Sequence, residues 1–530
     1  MRIAVVGSSF SGIAAAHALT ARGFAVTILD VGETLDAQRT AIVQKFRDLP
    51  SESWPQDEFR IIDENPTLGR HMLPKKVHFG SEYIYANDRS FAPIVSGPGK
   101  RLPYPTFARA GYSNIWGAAV LAPDACDMAD WPVSHAEMQP FFREAAKLIP
   151  LSGGEGTLDT AFPSYKDELG DIDPGPQGSA LLEDLRRAES ELTNDRLLYG
   201  RARLAIHTEA APGALPCNNC GYCFTGCVRG SIFSTEPLLE RMMQFGRVTY
   251  EPGQFVDVVR EAEGKVIVEV VNVATSAHRM LFFDAVFLAA GPINTTRLLL
   301  RSFGVYDRPI LLKESQKFVI PMLRRRAAET AVERPSVTIA SVFIEAKVPA
   351  VSDHWVHVQV IPMNALMLKG SAIPEFARLT PILRRTMAAW CGMHSDDSAQ
   401  VELRLHKPDS SRRAALEINV RDSRAARKAA HRVGKHFFRE GFKFGSLFLH
   451  PMMQFSEPGS GTHCGASFPM RERRTSHFET DILGRPFGWS RVYAVDATVL
   501  PSIPGTTLAF PVMANAYRIG TFAPVVAAVN

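Results

Sequence analysis

The first thirty residues consist of two apolar runs separated by a turn of glycine and serine and a stretch of small residues. The run RIAVV at residues 2–6 is typical of a buried strand, the small residues after Gly12 predict a helix, and the second run, FAVTILD, ends in Asp30. In a strand–turn–helix–strand unit, the turn exposes backbone N–H groups that bind a pyrophosphate, and a carboxylate about 20 residues later accepts ribose hydroxyls. Asp30, 23 residues after Gly7, occupies that position.

The turn departs from the usual glycine pattern. It runs from Gly7 to Gly12 as GSSFSG, so Ser9 occupies the place of the middle glycine in G-x-G-x-x-G. Serine is small, and its hydroxyl can donate to a phosphate. An ordinary strand-to-helix turn with a capping serine is the alternative interpretation. The candidate nucleotide-binding residues are Gly7, Ser9, Ser11, Gly12 and Asp30.

Periodic segments alternate with irregular ones further along the chain. Residues 131–149 begin with a capping box, Ser134-x-x-Glu137, and continue with apolar residues at helical spacing, so they predict a helix. Residues 151–178 are rich in Gly, Pro, Asp and Ser and predict a long surface connection. After a cysteine-rich loop, a second helix is expected from about Ser234.

Strand character returns in the second half. Residues 247–290 contain VTYEP, FVDVVREAEGKVIVEVV with a Glu-Gly turn, and the apolar run DAVFLAAG, expected of a buried parallel strand; the helix NTTRLLLRSFG follows. Between residues 309 and 455, SVTIASVFIEA, WVHVQVIPM, AQVELRLH and AALEINV predict an antiparallel sheet interleaved with helices. We therefore predict an α/β fold with a Rossmann-like nucleotide-binding domain (residues 1–308, with an inserted cysteine loop at 212–233), an α+β substrate domain (309–455) and a return to the first domain (456–530).

Composition excludes several classes of protein. The chain has 530 residues, enough for two or three domains, and its 46% hydrophobic and 22% charged content is that of a globular protein. A net charge of +4 implies neither nucleic acid nor an acidic membrane surface as a partner. The sequence has no run of eighteen apolar residues, so we predict no membrane span. A first strand at Arg2 leaves no room for a signal peptide. We expect a cytoplasmic location.

Four of the seven cysteines lie close together, as Cys217-x2-Cys220-x2-Cys223-x3-Cys227. In a reducing compartment such a group indicates metal or redox chemistry before disulfides. The spacing is that of bacterial ferredoxin loops that bind a [4Fe–4S] cluster, although Val228 replaces the usual proline. A zinc site and four structural thiols in a tight loop are the alternatives.

Six segments, in order, resemble the glucose-methanol-choline (GMC) oxidoreductases, a family of FAD-dependent alcohol oxidases and dehydrogenases. They are GSSFSG with Asp30; ARAGYSNIWGA, similar to the GGSSxxWGG loop over the flavin; DWPVSHAEMQPFF; LAAGPINTTRLLL; HCGASFPM, similar to HxxGTxxM; and VDATVLPSIPG with FPVMANAYRI. Some GMC relatives carry a CxxCGxCxxGC loop, which the cysteine loop resembles. The resemblance implies FAD as the cofactor.

The resemblance also implies roles for individual residues. His463 occupies the position of the base that removes the hydroxyl proton during alcohol oxidation. Asp496 would hold the ribityl chain, and the helix after it, with Pro511 in its first turn, would direct its N-terminus at the flavin. Where the family has a second His or Asn, this chain has Thr507, which cannot titrate near pH 7. The other implied cofactor positions are Ser113, Asn114, Trp116, Gly291 and Thr506.

A structural histidine and an aspartate that closes a strand end are the alternatives for His463 and Asp496. The sequence predicts oxidation of an alcohol, a secondary hydroxyl of a sugar or polyol, to a carbonyl, with hydride transfer to flavin N5. The electron acceptor would be oxygen, a quinone or a redox protein, and a cluster would favour a one-electron partner. A non-redox flavin-dependent lyase, which Thr507 permits, and a flavin or iron–sulfur electron carrier are the alternatives.

Overall fold

The computed structural model describes residues 1–65, 76–85, 89–96, 105–194, 196–364, 367–368, 381–408, 413–460 and 462–525. Its strands, in chain order, are β1 Arg2–Val6, β2 Ala25–Leu29, β3 Ile94–Ser96, β4 Ser152–Gly156, β5 Leu197–Leu204, β6 Val248–Glu251, β7 Gln254–Ala262, β8 Lys265–Asn272, β9 His278–Phe283, β10 Ala285–Leu288, β11 Pro309–Glu314, β12 Lys317–Arg324, β13 Val342–Lys347, β14 Trp355–Pro362, β15 Thr386–Gly392, β16 Gln400–Leu405, β17 Leu416–Arg421, β18 Ser446–Phe448, β19 Gln454–Phe455, β20 Cys464–Gly465 and β21 Val492–Ala494.

The α-helices, in chain order, are α1 Phe10–Ala21, α2 Ala37–Phe46, α3 Gln56–Asp63, α4 His135–Leu148, α5 Gly175–Arg187, α6 Glu189–Asn194, α7 Thr235–Gln244, α8 Pro292–Ser302, α9 Arg424–Glu440 and α10 Ala509–Phe522. Short 3₁₀ turns occur at Ser51–Ser53, Gly111–Asn114, Ala125–Met128, Leu158–Thr160, Leu383–Arg385, Ser395–Asp397, Gly441–Phe444, His450–Met452 and Ala497–Val499. None of the helices in the described part of the chain has both the length and the apolar character needed to cross a bilayer.

The first sheet contains five parallel strands in the order β21–β10–β1–β2–β6. β10 pairs directly with β1, and all four of its residues are buried, as expected for a strand covered on both faces. α1 connects β1 to β2 and packs along α10, the helix near the C-terminal end of the described chain. The predicted Rossmann-like unit, and the return of residues 285–288 to its sheet, are confirmed.

Two further sheets contain most of the remaining strands. The larger has the order β18–β12–β15–β14–β13–β5–β4, with β19 beside β12, and the smaller has the order β20–β11–β16–β17–β3. The antiparallel strands expected in residues 309–455 are therefore divided between two sheets. The larger sheet also takes β4 and β5 from the part of the chain before residue 309. The exact domain boundaries stay a prediction.

The local predictions succeed where the sequence pattern is strong. Ser134 and Glu137 form both hydrogen bonds of the capping box at the start of α4, and the Ser234 side chain caps α7. β7 and β8 form the predicted hairpin. The prediction of one long surface connection over residues 151–178 is wrong, because β4 forms there and α5 begins at Gly175.

Candidate active site

A continuous cavity of about 710 Å³ lies between the parallel sheet and the larger antiparallel sheet. Its lining extends from the turn after β1 and the end of β2 to the segment that precedes β20. The sequence-predicted residues that line it are Gly7, Ser9, Ser11, Asp30, Trp116, Gly291, Asp496, His463 and Thr507. Gly12, Ser113, Asn114 and Thr506 are not among the lining residues. The structure thus brings residues from both ends of the chain to one cavity.

The glycine turn is shaped by two close backbone approaches. Gly7 has φ +103, and a Cβ there would lie 2.5 Å from the carbonyl oxygen of Ala289, while a Cβ on Gly12 would overlap the carbonyl oxygen of Gly7. Both positions therefore require glycine. Ser9 is the N-cap residue of α1, but its side chain makes no capping hydrogen bond. The hydroxyl of Ser9 stays available to a ligand at the helix N-terminus, unlike that of an ordinary capping serine.

Asp30 lies at the carboxyl end of β2 and is buried. Its Oδ2 accepts a short hydrogen bond from the Ser8 hydroxyl and a longer one, of 3.5 Å, from the Tyr250 hydroxyl. Burial raises the pKa of the Asp30 carboxyl to about 6 despite these bonds. Above that pH it is a carboxylate that can accept ribose hydroxyls.

Asp496 and Gly291 join two elements at the middle of the cavity. Asp496 Oδ2 accepts from the Gly291 backbone N–H at 2.9 Å and from the Thr295 hydroxyl at 2.5 Å, and Oδ1 accepts from the Thr498 N–H at 2.9 Å. Burial raises the pKa of this carboxyl. Gly291, with φ +84, has no atom within 4 Å of the position where a Cβ would lie. Its backbone is therefore open to a ligand.

Two of the predicted residues in the loop that resembles GGSSxxWGG form hydrogen bonds within the loop. The Ser113 hydroxyl donates to the Ala110 carbonyl at 2.7 Å, and the Asn114 amide donates to the Arg109 carbonyl at 2.9 Å. Trp116 lines the cavity. Ser113 and Asn114 therefore shape this loop, and Trp116 is the member of the predicted set that faces the ligand space.

His463 precedes β20 and combines burial with an unused nitrogen. Its Nδ1 is buried and has no hydrogen-bond partner in the described part of the chain. The ring lines the cavity, which leaves Nε2 as the nitrogen that can meet a ligand. Burial, with the positive charge of Lys317 nearby, holds the pKa of His463 well below its ordinary value. The imidazole is therefore neutral near pH 7 and can accept a proton.

Thr507 lies on the cavity, but its hydroxyl is occupied by the protein. The hydroxyl donates to the Leu121 carbonyl at 2.9 Å and accepts from the Leu121 N–H at 2.8 Å. These bonds attach the turn at residues 505–507 to a distant part of the chain. The Thr507 hydroxyl therefore has no free proton to donate to a substrate in this arrangement.

The larger sheet contributes residues to the cavity that the sequence motifs did not predict. Lys317 from β12, Gln359 from β14 and Trp390 from β15 line it, and Phe224 reaches it from the cysteine loop. The one available signal was a lysine at the start of the apolar strand KFVIPMLR. Burial lowers the pKa of Lys317 to about 8.

The four cysteines of the loop are free thiols, and the pKa values of Cys217, Cys220 and Cys227 are raised. Burial is the largest cause, and it raises the pKa of Cys217 and of Cys220 to about 12. Within the described residues, no three cysteine sulfurs lie within 4.8 Å of one another. Sulfurs bound to one zinc ion lie closer than about 4.6 Å, since each Zn–S bond is about 2.3 Å. The loop as folded is therefore not a single-zinc site, and the [4Fe–4S] cluster stays a prediction.

A second group of potential ligands, His354, His394 and Asp396, lies behind the turn at residues 501–507. The two imidazole rings are stacked, with centroids 3.6 Å apart and planes inclined by 14°. The lone pair of an imidazole nitrogen lies in the ring plane, so an ion shared by both rings would lie outside both planes. His354 Nδ1 lies 3.3 Å from Asp127 Oδ1 instead. We assign no metal to this group.

No family model matches the sequence, and no curated protein sequence matches it either. Many solved structures match the chain, and two of them match nearly its whole length. Pyridoxine 4-oxidase from Mesorbium loti has a TM-score of 0.60 at 14% identity, with 98% of each chain covered. A formate oxidase from Aspergillus oryzae RIB40, solved in a study of FAD modification, has a TM-score of 0.63 at 11% identity and covers 98% of this chain and 97% of its own. The protein therefore has the fold of these two oxidases, with a Rossmann-like parallel sheet and a large antiparallel sheet.

Proposed function

We propose that the protein is an FAD-dependent oxidoreductase of the GMC family that oxidises an alcohol to a carbonyl. The observation that carries this proposal is the cavity itself, which connects a nucleotide-type turn at Gly7 and Asp30 with a buried, neutral imidazole at His463. A dinucleotide with a redox-active ring at one end matches this arrangement. When bound, FAD supplies an isoalloxazine ring that accepts a hydride.

The residues present fit FAD along the cavity. The N-terminus of α1, with the free Ser9 hydroxyl, suits the pyrophosphate, and Asp30 suits the ribose of the adenosine. The open backbone at Gly291 permits close approach of the cofactor. The Asp30 carboxylate would repel the 2′-phosphate of NADP.

The substrate end of the cavity combines aromatic walls with several polar side chains. Phe224, Trp390 and Phe455 supply apolar surface, and Gln359 supplies an amide. A sugar or polyol presents C–H faces to aromatic rings and hydroxyls to polar side chains, so we propose a secondary hydroxyl of such a compound as the substrate. His463 Nε2 accepts the hydroxyl proton. Both structural neighbours are oxidases, which supports oxygen over a quinone or a redox protein as the acceptor.

One anaerobic experiment tests the proposal. Purified protein is heated to release its cofactor, and a second sample is mixed with a panel of sugars and polyols while the flavin absorbance is recorded. We expect FAD in the supernatant and bleaching by at least one alcohol. Nicotinamide nucleotide alone would overturn the flavin assignment. Flavin that stays oxidised while a hydroxylated substrate is cleaved would identify the lyase, and reduction by protein partners alone would identify the electron carrier.

A further inference from the structure

We propose that Lys317 is a second catalytic group of this site: its ammonium binds the reacting hydroxyl oxygen of the substrate and stabilises the alkoxide that forms when the proton passes to His463. This inference rests on the proposed alcohol oxidation. Four observations support it: the register of the larger sheet, the space beside the Lys317 ammonium at Gly392, the hydrogen-bond partners of the ammonium, and the position of the ammonium relative to Thr507.

The register places Lys317 at one end of a polar row. Lys317 on β12 pairs with Gly392 on β15, Gly392 pairs with His357 on β14, and His357 pairs with Glu345 on β13. Directly paired residues of adjacent strands point to the same face of a sheet. Lys317 lines the cavity, so this row lies on the cavity face. Residue 318 on the opposite face is a buried phenylalanine of the second apolar core.

The member of this row beside the ammonium, Gly392, has no side chain and leaves space there. A Cβ on Gly392 would overlap Lys317 Nζ. The backbone of β15 therefore leaves room for the lysine head group between the strands, and any larger residue at position 392 would displace it. The lysine is held by backbone shape in addition to its own side-chain contacts.

The ammonium is poorly satisfied by the protein. Nζ donates to the Ser315 hydroxyl at 3.3 Å and to the Gly505 carbonyl at 3.4 Å, both neutral and both long. In the described part of the chain it forms no ion pair with a carboxylate within 4.0 Å. An ammonium has three donors, and a buried charge is costly unless it is paired. A negatively charged oxygen in the cavity would complete its coordination.

Lys317 also reaches the turn that contains Thr507, where this chain lacks the second His or Asn of the GMC family. Gly505 lies two residues before Thr507, whose hydroxyl is bound to Leu121. The ammonium reaches the same turn through its hydrogen bond to the Gly505 carbonyl. Its charge also acts on the His463 ring. Lys317 and His463 both line the cavity, and our inference places a substrate hydroxyl in contact with both.

The O–H bond of the substrate breaks and its proton goes to His463 Nε2, while the electron pair stays on oxygen beside the ammonium. The C–H bond of the same carbon then breaks and the oxygen electron pair forms the C=O bond; FAD, when bound, would supply the acceptor for the hydride. Lys317 keeps its three protons throughout. Its contribution is electrostatic, like that of a donor in an oxyanion hole.

The test compares Lys317→Met, which keeps the chain length and removes the charge, with Lys313→Met as a matched control. Lys313 lies on β11, pairs with Asp396 at 3.3 Å and does not line the cavity. FAD content is measured first, followed by anaerobic flavin reduction at saturating alcohol. We expect full FAD content in both variants, a loss of roughly 100-fold in reduction rate for Lys317→Met, and a change of less than about twofold for Lys313→Met.

Two further measurements separate chemistry from folding. In Lys317→Cys, alkylation with bromoethylamine restores an ammonium and should recover at least about tenfold of the lost rate, with treated wild-type protein as the control. Acetic anhydride followed by mass spectrometry reports the accessibility of Lys317 without any turnover. We expect a saturating substrate alcohol to protect Lys317 and to leave acetylation of Lys313 unchanged.

The pH profile supplies an independent reading. The pKa of Lys317 is lowered to about 8, so the active ammonium form dominates below pH 8 and the reduction rate should fall above it. His463, with its strongly lowered pKa, adds no loss near pH 6.5. Burial also raises the pKa of Glu314 to about 8. Burial raises the pKa values of Glu345 and Cys391 and holds the pKa of His357 well below its ordinary value. The fall above pH 8 should persist in Glu314→Gln.

Several results would overturn the inference. They are wild-type reduction rates in Lys317→Met, no recovery after aminoethylation, no protection from acetylation, or a rate that rises through pH 8, which would make the neutral amine a base. These leave the proposed oxidation intact as long as an alcohol reduces the wild-type flavin. If no alcohol does so, the proposed function and this inference fail together.

Discussion

His463 and Thr507 line the same cavity but use their hydrogen-bonding groups in opposite ways. The imidazole has a buried nitrogen without a partner in the described residues, whereas the threonine hydroxyl both donates to and accepts from Leu121. Sequence motifs placed both residues at the site. They did not predict the Leu121 contact, because it joins positions 386 residues apart and depends on how the sheets assemble. Residue roles inferred from a motif therefore need the hydrogen-bond partners as well.

Replacing His463 with Ala tests the proposed base. The variant should keep FAD, since the residues proposed to bind the pyrophosphate and the ribose lie elsewhere, and it should reduce the flavin about 100-fold more slowly, the usual contribution of a positioned base. Stopped-flow absorbance measures the rate. His450→Ala, on a short turn outside the cavity, serves as the control. Equal rates in wild-type protein and His463→Ala would remove this residue from the role.

Replacing Thr507 with Val tests the positioning role that the structure indicates. Valine nearly preserves shape but leaves the N–H and the carbonyl of Leu121 without a partner, and each unsatisfied buried group costs about 1–3 kcal/mol. The free energy of unfolding should fall by about that amount or more, and denaturant titration measures it. Thr507→Ser keeps the hydroxyl and should lose much less. If Val and Ser are equally stable, the bonds to Leu121 contribute nothing.

At the scale of elements, apolar periodicity in the sequence predicted strands reliably. It did not predict pairing between strands that are remote in sequence. The run at residues 285–288 predicted β10, and the Glu-Gly turn predicted the β7–β8 hairpin. β4 escaped prediction because its sequence, SGGEG, has no apolar pattern. It forms because β5 lies beside it, and Cβ atoms at Gly153 and Gly156 would overlap carbonyl oxygens of that strand. Its pairing partner is remote in sequence, since Gly156 pairs with Gly200, 44 residues later, and a local pattern cannot detect such a pairing.

The cysteine loop gives a prediction at the same scale. If Cys217, Cys220, Cys223 and Cys227 bind a cluster, anaerobically purified protein contains iron and labile sulfide, and Cys223→Ser loses both. Metal and sulfide analysis measures this. Cys391→Ser, a buried thiol of β15 outside the loop, is the control and should keep the iron.

Stoichiometric zinc in the purified protein would require the sulfurs to move closer together than they lie here. Protein free of metal after anaerobic handling would identify the loop as four structural thiols. In that case its contribution to the site is Phe224, which lines the cavity.

At the scale of the whole molecule, the cavity takes its walls from sheets that are remote in sequence. The nucleotide end comes from β1, β2 and the turn before α1, and the substrate end comes from β12, β14 and β15. A ligand that occupies the full length contacts both sheets at once. Its binding energy therefore stabilises the assembly of the two sheets as well as each surface it touches.

FAD should consequently raise the melting temperature of the whole protein. Ligand at 100 times its dissociation constant adds about 2.7 kcal/mol to the stability of the folded state, and the shift should grow with FAD concentration. Differential scanning fluorimetry of the apoprotein measures it. Riboflavin, which lacks the pyrophosphate and adenosine, should shift the melting temperature less. Asp30→Ala should reduce the FAD shift and leave the riboflavin shift unchanged, because Asp30 lies at the nucleotide end. Equal shifts with both ligands would mean that the turn after β1 and Asp30 do not bind the nucleotide.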